Sequence, residues 1–144
     1  MEAFTLIADL GFSIAAVIGG GFFIILLLKY ILDSVVGSAK AKGRRLQQWF
    51  RDLLIEELEI HPEDIESRSM GAGGEDLIMA RAARESFPYS IECKNQEKLN
   101  IWEAYKQACE NAGHYEPIVV IKRNNQKPLV LIDAEYFMVL HNGH

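Results

Sequence analysis

The sequence predicts an α+β (α/β) domain, a mixed central sheet flanked by helices, preceded by a single transmembrane helix. Three observations carry this. From Leu10 to Leu28 there is no charged residue. Two later stretches, Arg44 to Leu58 and Leu99 to Ala112, repeat apolar residues every three to four positions, and between and after them lie short runs of β-branched and aromatic residues bounded by turn-formers. With 49% hydrophobic and 24% charged residues in 144, the chain has the composition of a folded protein rather than a disordered one.

As a helix, Leu10 to Leu28 would reach most of the way across a hydrocarbon core of about 30 Å. Ile31, Leu32, Val35 and Val36 can extend the buried length, and Lys29 and Tyr30 can reach headgroups. A signal peptide would start with a basic region, whereas Glu2 and Asp9 are the charges that precede this run. Positive charge follows it instead, at Lys29, Lys40, Lys42, Arg44 and Arg45, which by the positive-inside rule places the N-terminus outside and the rest in the cytoplasm. A buried core helix is disfavoured because the run is apolar all round, with no polar stripe, and because the remaining chain has the elements of a domain without it. Ala15, Ala16, Gly19 and Gly20 recur at four-residue spacing, which lets a second helix approach closely in lipid. Gly37, Ser38 and Ala39 are read as a short break, so residues 1–37 form an anchor and 38–144 a soluble domain.

The soluble part opens with an amphipathic helix carrying Leu46, Trp49, Phe50, Leu53, Leu54 and Leu58. Pro62 ends that segment, and Asp64 to Ser69 is read as a first short strand around Ile65. The glycines at 71, 73 and 74 make a loop open to close approach. A second strand is expected from Glu75 to Met79 and a third from Phe87 to Cys93, with Pro88 at its start where a missing N–H is tolerated. Leu99 to Ala112 is a helix whose buried side is expected to hold Ile101, Trp102, Tyr105, Ala108 and Ala112, with Gly113 as its stop. Ile118 to Ile121 and Leu129 to Ile132 form two adjacent strands joined by a polar turn at Asn124-Asn125, and Ala134 to Leu140 closes the domain as a short helix.

Several chemistries are excluded. Cys93 and Cys109 make no C-x-x-C pair and are read as small buried or semi-buried thiols. His61 and His114 stand alone near turns, so no His/Cys ligand set emerges. The glycine loop lacks the G-K-[ST] of a phosphate-binding P-loop, and Leu140 to His144 resembles an H-N-H motif in letters only. A net charge of −5 provides no global field for nucleic acid, so contacts with it must come from local groups such as Lys40 to Arg51, or Lys122 and Arg123.

What remains is Glu92-Cys93-Lys94 on the third strand, with Asp76 on the strand before. Alternation puts Glu92 and Lys94 on one face, presented to a cleft, and Ile91 and Cys93 on the other, in the core. Asp76 and Glu92 offer hard oxygen ligands for Mg²⁺ or Mn²⁺, to which the Cys93 main-chain carbonyl can add. Lys94 is placed to orient or deprotonate water. Gln107, on the following helix, and Gln96 are further polar candidates.

Asp76 followed by Glu92-Cys93-Lys94, within this element order, is similar to the PD-(D/E)xK nuclease superfamily, which includes restriction endonucleases and archaeal-type Holliday-junction resolvases. The stretches Ser69 to Asp76 and Phe87 to Gln96 resemble small phage-encoded members, and the likeness extends over about residues 39–140. The resemblance implies a restriction-endonuclease-like core and an Mg²⁺-dependent endonuclease acting on DNA, with Asp76, Glu92, Lys94 and Gln107 in the catalytic site and Asp76, Glu92 and Cys93 at the metal. Where resolvases carry a glutamate on the first helix after a Lys-Gly pair, this chain has Gln47 after Lys42-Gly43, and Glu75 replaces the usual proline before Asp76. A membrane-anchored nuclease is thus expected, in contact with lipid and DNA, and homodimeric if it makes paired cuts. The rival expectation is a holin-like phage membrane protein carrying a degenerate nuclease-like domain.

Overall fold

The computed structural model describes residues 13–68 and 73–143. The chain divides into two compact units, Met1–Ser38 and Ala39–His144. Helix α1 spans Ser13–Leu58. Its part within the first unit is long and apolar enough to cross a membrane, and from Phe22 to Leu32 its large side chains are exposed on every side. No polar face alternates with them, the pattern expected where lipid rather than water surrounds a helix. The expected break at Gly37-Ser38-Ala39 is overturned, since α1 continues through these residues. A single glycine costs a helix only about 1 kcal/mol, and without proline nothing there removes a backbone hydrogen bond. Leu10 to Phe12, the start of the charge-free run, lie outside the described residues.

The second unit begins with the end of α1, where Leu46, Phe50 and Leu54, at four-residue spacing, are buried. The helix stops at Glu59, whose φ of 54° is the left-handed conformation that closes helices. A 3₁₀ turn, Pro62–Asp64, follows, capped by His61, whose Nδ1 accepts from the Glu63 amide at 3.3 Å. Then come β1 (Ile65–Ser67), β2 (Leu77–Met79), α2 (Arg81–Ser86), β3 (Tyr89–Asn95), α3 (Ile101–Asn111), β4 (Glu116–Lys122), β5 (Leu129–Leu131) and α4 (Ala134–Asn142). The sequence reading missed α2, and six residues without apolar periodicity leave little signal for it.

The strands form two small sheets rather than the one central sheet expected. β1 pairs antiparallel with β2, Ile65 opposite Met79. β3 pairs in parallel with β4, Ile91 opposite Ile118, and β4 antiparallel with β5, Ile121 opposite Leu129. Parallel neighbours need a crossover, which α3 supplies, whereas β4 and β5 need only the turn in which Asn125 takes a φ of 58°. A backbone bond from the Asp76 amide to the Ile91 carbonyl, 2.8 Å, links the approach to β2 with β3.

The β3–β4 layer is covered on both faces. On one, Ile91, Cys93, Ile118 and Val120 pack with Leu46, Phe50 and Leu54 of α1 and with Ile65, Leu77 and Met79. On the other, Val119 packs with Ala104 and Ala108 of α3. Small residues on that helix face allow it to lie close to the sheet, so Ala104 and Ala108 are its buried residues, while Trp102 and Ile101, expected inside, are 85% and 41% exposed. Cys93 is buried as expected but Cys109 is exposed, and both are free thiols.

Leu77 has no exposed surface and joins the β1–β2 pair to the main core. Leu77→Ala is expected to destabilise the domain by about 2–5 kcal/mol, the cost of lost burial plus a cavity. Denaturant unfolding of the full chain in detergent, followed by near-ultraviolet circular dichroism, would measure it. A loss below about 0.5 kcal/mol, typical of surface positions, would contradict this packing.

Candidate metal and catalytic site

Residue alternation along β3 decides what each side chain meets. Ser90, Glu92 and Lys94 face α3, and Ile91 and Cys93 face α1. Glu92 is therefore not presented to an open cleft, as the sequence reading had it. It is 4% exposed beneath α3, while Lys94 is half-buried. The Lys94 Nζ lies 2.7 Å from Glu92 Oε1 and donates to Gln107 Oε1 at 2.9 Å. One helical turn beyond Gln107, Asn111 Nδ2 donates to Glu92 Oε2 at 3.4 Å. The exposed Gln107 thus reaches back to the strand and holds the lysine.

Asp76 comes to the same strand from its edge. Its backbone amide donates to the Ile91 carbonyl, and its Oδ2 accepts from the Cys93 amide at 2.6 Å. Along a strand the N–H and C=O of one residue share an edge, so the Cys93 carbonyl faces the Asp76 side as well. Desolvation pushes the Asp76 carboxyl up to about 6, against the lowering effect of the Cys93 amide; the Glu92 charge raises it further, and Lys94 and a hydrogen bond from Gln47 lower it. Burial, with the charges of Asp76 and Glu92, likewise raises the Cys93 thiol.

Gln47 is the group that sequence reasoning undervalued. It sits 2% exposed beside the apolar stripe of α1, bonded to Asp76, and its Oε1 has no partner. Its place between Leu46 and Phe50 was the available signal. Glu75, at the position of the missing proline, is held by Arg84, which also donates to the Tyr89 carbonyl and lies 4.2 Å from the centre of the Tyr115 ring. Gly74 turns the chain into this pair at φ 98°, a conformation that side-chain-bearing residues rarely adopt. Gly71 and Ala72 lie outside the described residues. Gln96 is not joined to the site by a side-chain hydrogen bond among the described residues; its amide donates to the Lys122 carbonyl at 3.0 Å.

Among the described residues no three His, Cys, Asp or Glu side chains converge. Any ion here would take two carboxylates, one main-chain oxygen and water, a composition that suits Mg²⁺, which keeps several waters and uses one or two carboxylates. After desolvation, repulsion from Glu92 adds to the rise of the Asp76 carboxyl, a local excess of negative charge of the kind a divalent cation would relieve.

This has a measurable consequence. Because the folded-state value of Asp76, about 6, lies above the ordinary 3.8, its stabilising contribution is complete below pH 3.8 and is lost as pH rises through 6. A divalent ion competes with that proton. Mn²⁺ or Mg²⁺ is therefore expected to raise the melting temperature of the full chain at pH 8 and to have little effect at pH 5. An equal shift at both pH values, or none at pH 8, would remove these carboxylates from metal binding.

Compared with known proteins, the chain matches no family model, no curated protein and no solved structure.

Proposed function

We propose that the second unit is a divalent-metal-dependent nuclease with a restriction-endonuclease-like core, of the PD-(D/E)xK kind, hydrolysing phosphodiester bonds in DNA. The observation that carries this reading is the meeting of Asp76 with β3, its carboxylate bonded to the Cys93 amide between Glu92 and Lys94. Asp76 and Glu92 would hold Mg²⁺ or Mn²⁺ together with the Cys93 carbonyl. When bound, such an ion lowers the pKa of water and neutralises charge on the phosphate. Lys94 keeps its ammonium beside Glu92 under the hold of Gln107, in position to orient water and to stabilise charge that develops on the phosphate. Gln47 and the Cys93 amide fix the Asp76 carboxylate from two sides.

We further propose that α1 anchors this nuclease as a single pass, N-terminus outside, with the domain at the cytoplasmic face. The cations from Lys29 to Arg45 support that orientation. One active site per chain calls for a homodimer if both strands are cut, and the small residues of the span suit such pairing.

A second reading has its own support. The Lys94 and Asn111 side chains already satisfy Glu92 without a metal, as they would in a holin-like membrane protein whose nuclease-like domain is degenerate. Incubating the full chain in detergent with duplex, branched and single-stranded DNA, and with RNA, in Mg²⁺, Mn²⁺ or chelator separates the two. Chelator-sensitive cleavage supports the nuclease, and the lack of cleavage in any metal supports the rival.

A further inference from the structure

Beyond the last residue of β3, the end of β4, the turn after it and the start of α3 enclose a cavity of about 480 Å³. Leu99, Ile101 and Leu129 form its apolar wall, and Lys122, Arg123 and Lys127 line it as well. Leu99 packs at the edge of the core beneath α3, whereas Ile101 and Leu129, 41% and 63% exposed, present apolar surface to solvent. The Lys122 Nζ is tied to the Gln126 carbonyl at 2.6 Å, whereas Arg123 and Lys127 are exposed and in no ion pair among the described residues. The carboxylate of the lining, Glu97, accepts from the Asn124 amide at 2.6 Å and so is engaged with the turn.

Solvated charge is the ordinary account of lysines at a strand end. It does not account for the exposed apolar wall among them. In a chain of net charge −5, three cations around one apolar hollow complement a ligand that joins an anionic group to a flat apolar one. The volume falls within the range of small-molecule sites. Gln96, in the lining, follows Lys94 by two residues, about 7 Å along a strand, so the cavity borders the candidate site.

We propose that this cavity binds one unpaired nucleotide of a single-stranded nucleic acid, its base against Leu99, Ile101 and Leu129 and its phosphate at Arg123 and Lys127. Such a division is how sequence-tolerant single-strand sites work, with the base on an apolar platform and the backbone on cations. A paired base is stacked inside its duplex and cannot enter. The inference rests on the nuclease reading for its biological sense, and it narrows the substrate to strands with unpaired nucleotides.

The test is fluorescence anisotropy of a labelled 12-nucleotide oligothymidylate, and of a blunt duplex of equal length, with the full chain in zwitterionic nanodiscs and chelator. The single strand is expected to bind more tightly than the duplex. The double variant R123A/K127A should weaken its binding about 10-fold or more at 50 mM salt and flatten the dependence of log K on log salt by about 1.4, two contacts at roughly 0.7 each. Leu129→Asp should weaken binding without changing the melting temperature, because the site is exposed. Unchanged binding in both variants, or a duplex bound as tightly as the single strand, overturns the proposal. If R123A/K127A releases the oligonucleotide while Glu92→Ala cuts like the parent, the cavity stands and the nuclease reading falls. If Glu92→Ala abolishes cleavage while the cavity variants bind normally, the reverse holds.

Discussion

Replacing Asp76 or Glu92 by alanine is expected to reduce the proposed cleavage by about 10³-fold or more, because each substitution removes one of the two carboxylates proposed to hold a metal worth several kcal/mol to such a reaction. The two variants should differ in stability. Asp76→Ala removes a buried carboxylate whose pKa is raised to about 6, so at pH 8 it relieves a desolvated charge while leaving the Cys93 amide without its acceptor. Glu92→Ala leaves the Lys94 ammonium half-buried and unpaired, and is the more destabilising of the two. Lys94→Ala provides the contrast. It should keep the metal-induced thermal shift, since an ammonium is no ligand, yet lower turnover by roughly 10²–10⁴ if the group assists water. Single-turnover cleavage together with thermal melts in Mn²⁺ reads both quantities. Parent-like cutting by all three variants would show that the chemistry lies elsewhere.

A charge at the middle of the apolar part of α1 should impair the placement of the chain rather than the fold of the second unit. Ile25 is 63% exposed and is surrounded along the helix by Phe22, Phe23, Leu26 and Leu28, so Arg in its place would meet lipid if this segment spans the bilayer as proposed. Insertion scales put that cost at roughly 2.5–3.5 kcal/mol, enough to shift most of a marginal segment out of the bilayer. The parent chain should stay with membranes through a carbonate wash, and a protease on the cytoplasmic side should remove the soluble unit. Ile25→Arg should appear partly in the soluble fraction. Recovery of the parent itself as a soluble protein would refute the anchor, and protection of the domain from that protease would refute its orientation.

How much could be read from the chain depended on the range of the interactions involved. The apolar run and the periodicities of Leu46, Phe50 and Leu54 are local patterns that state their own burial, and the β-branched run around Val119 and Val120 likewise announces a strand. The alternation of Ile91, Glu92, Cys93 and Lys94 assigns each to a face for the same reason, since a strand has a period of two. The helix break expected at Gly37-Ser38-Ala39 does not occur, because helix continuation depends on neighbours on both sides, which a weak local signal does not reveal. Helix α2 was missed because Arg84 and Ala83 are buried by partners far along the chain, Tyr115 among them.

Backbone periodicity alone assigns Glu92 and Lys94 to one face and Ile91 and Cys93 to the core, and the apolar run places a helix ahead of a mixed α+β unit. Packing between distant segments supplies the rest: Asp76 meets the Cys93 amide, α3 covers Glu92 with Asn111 and ties Lys94 to Gln107, and Gln47 supports Asp76 from α1. The physical reason is that face and periodicity follow from backbone geometry, which repeats along the chain. Which polar group satisfies a buried carboxylate depends instead on packing between segments 13 to 29 residues apart in the chain for the pairs Lys94–Gln107, Asp76–Cys93 and Gln47–Asp76, and no local pattern records that.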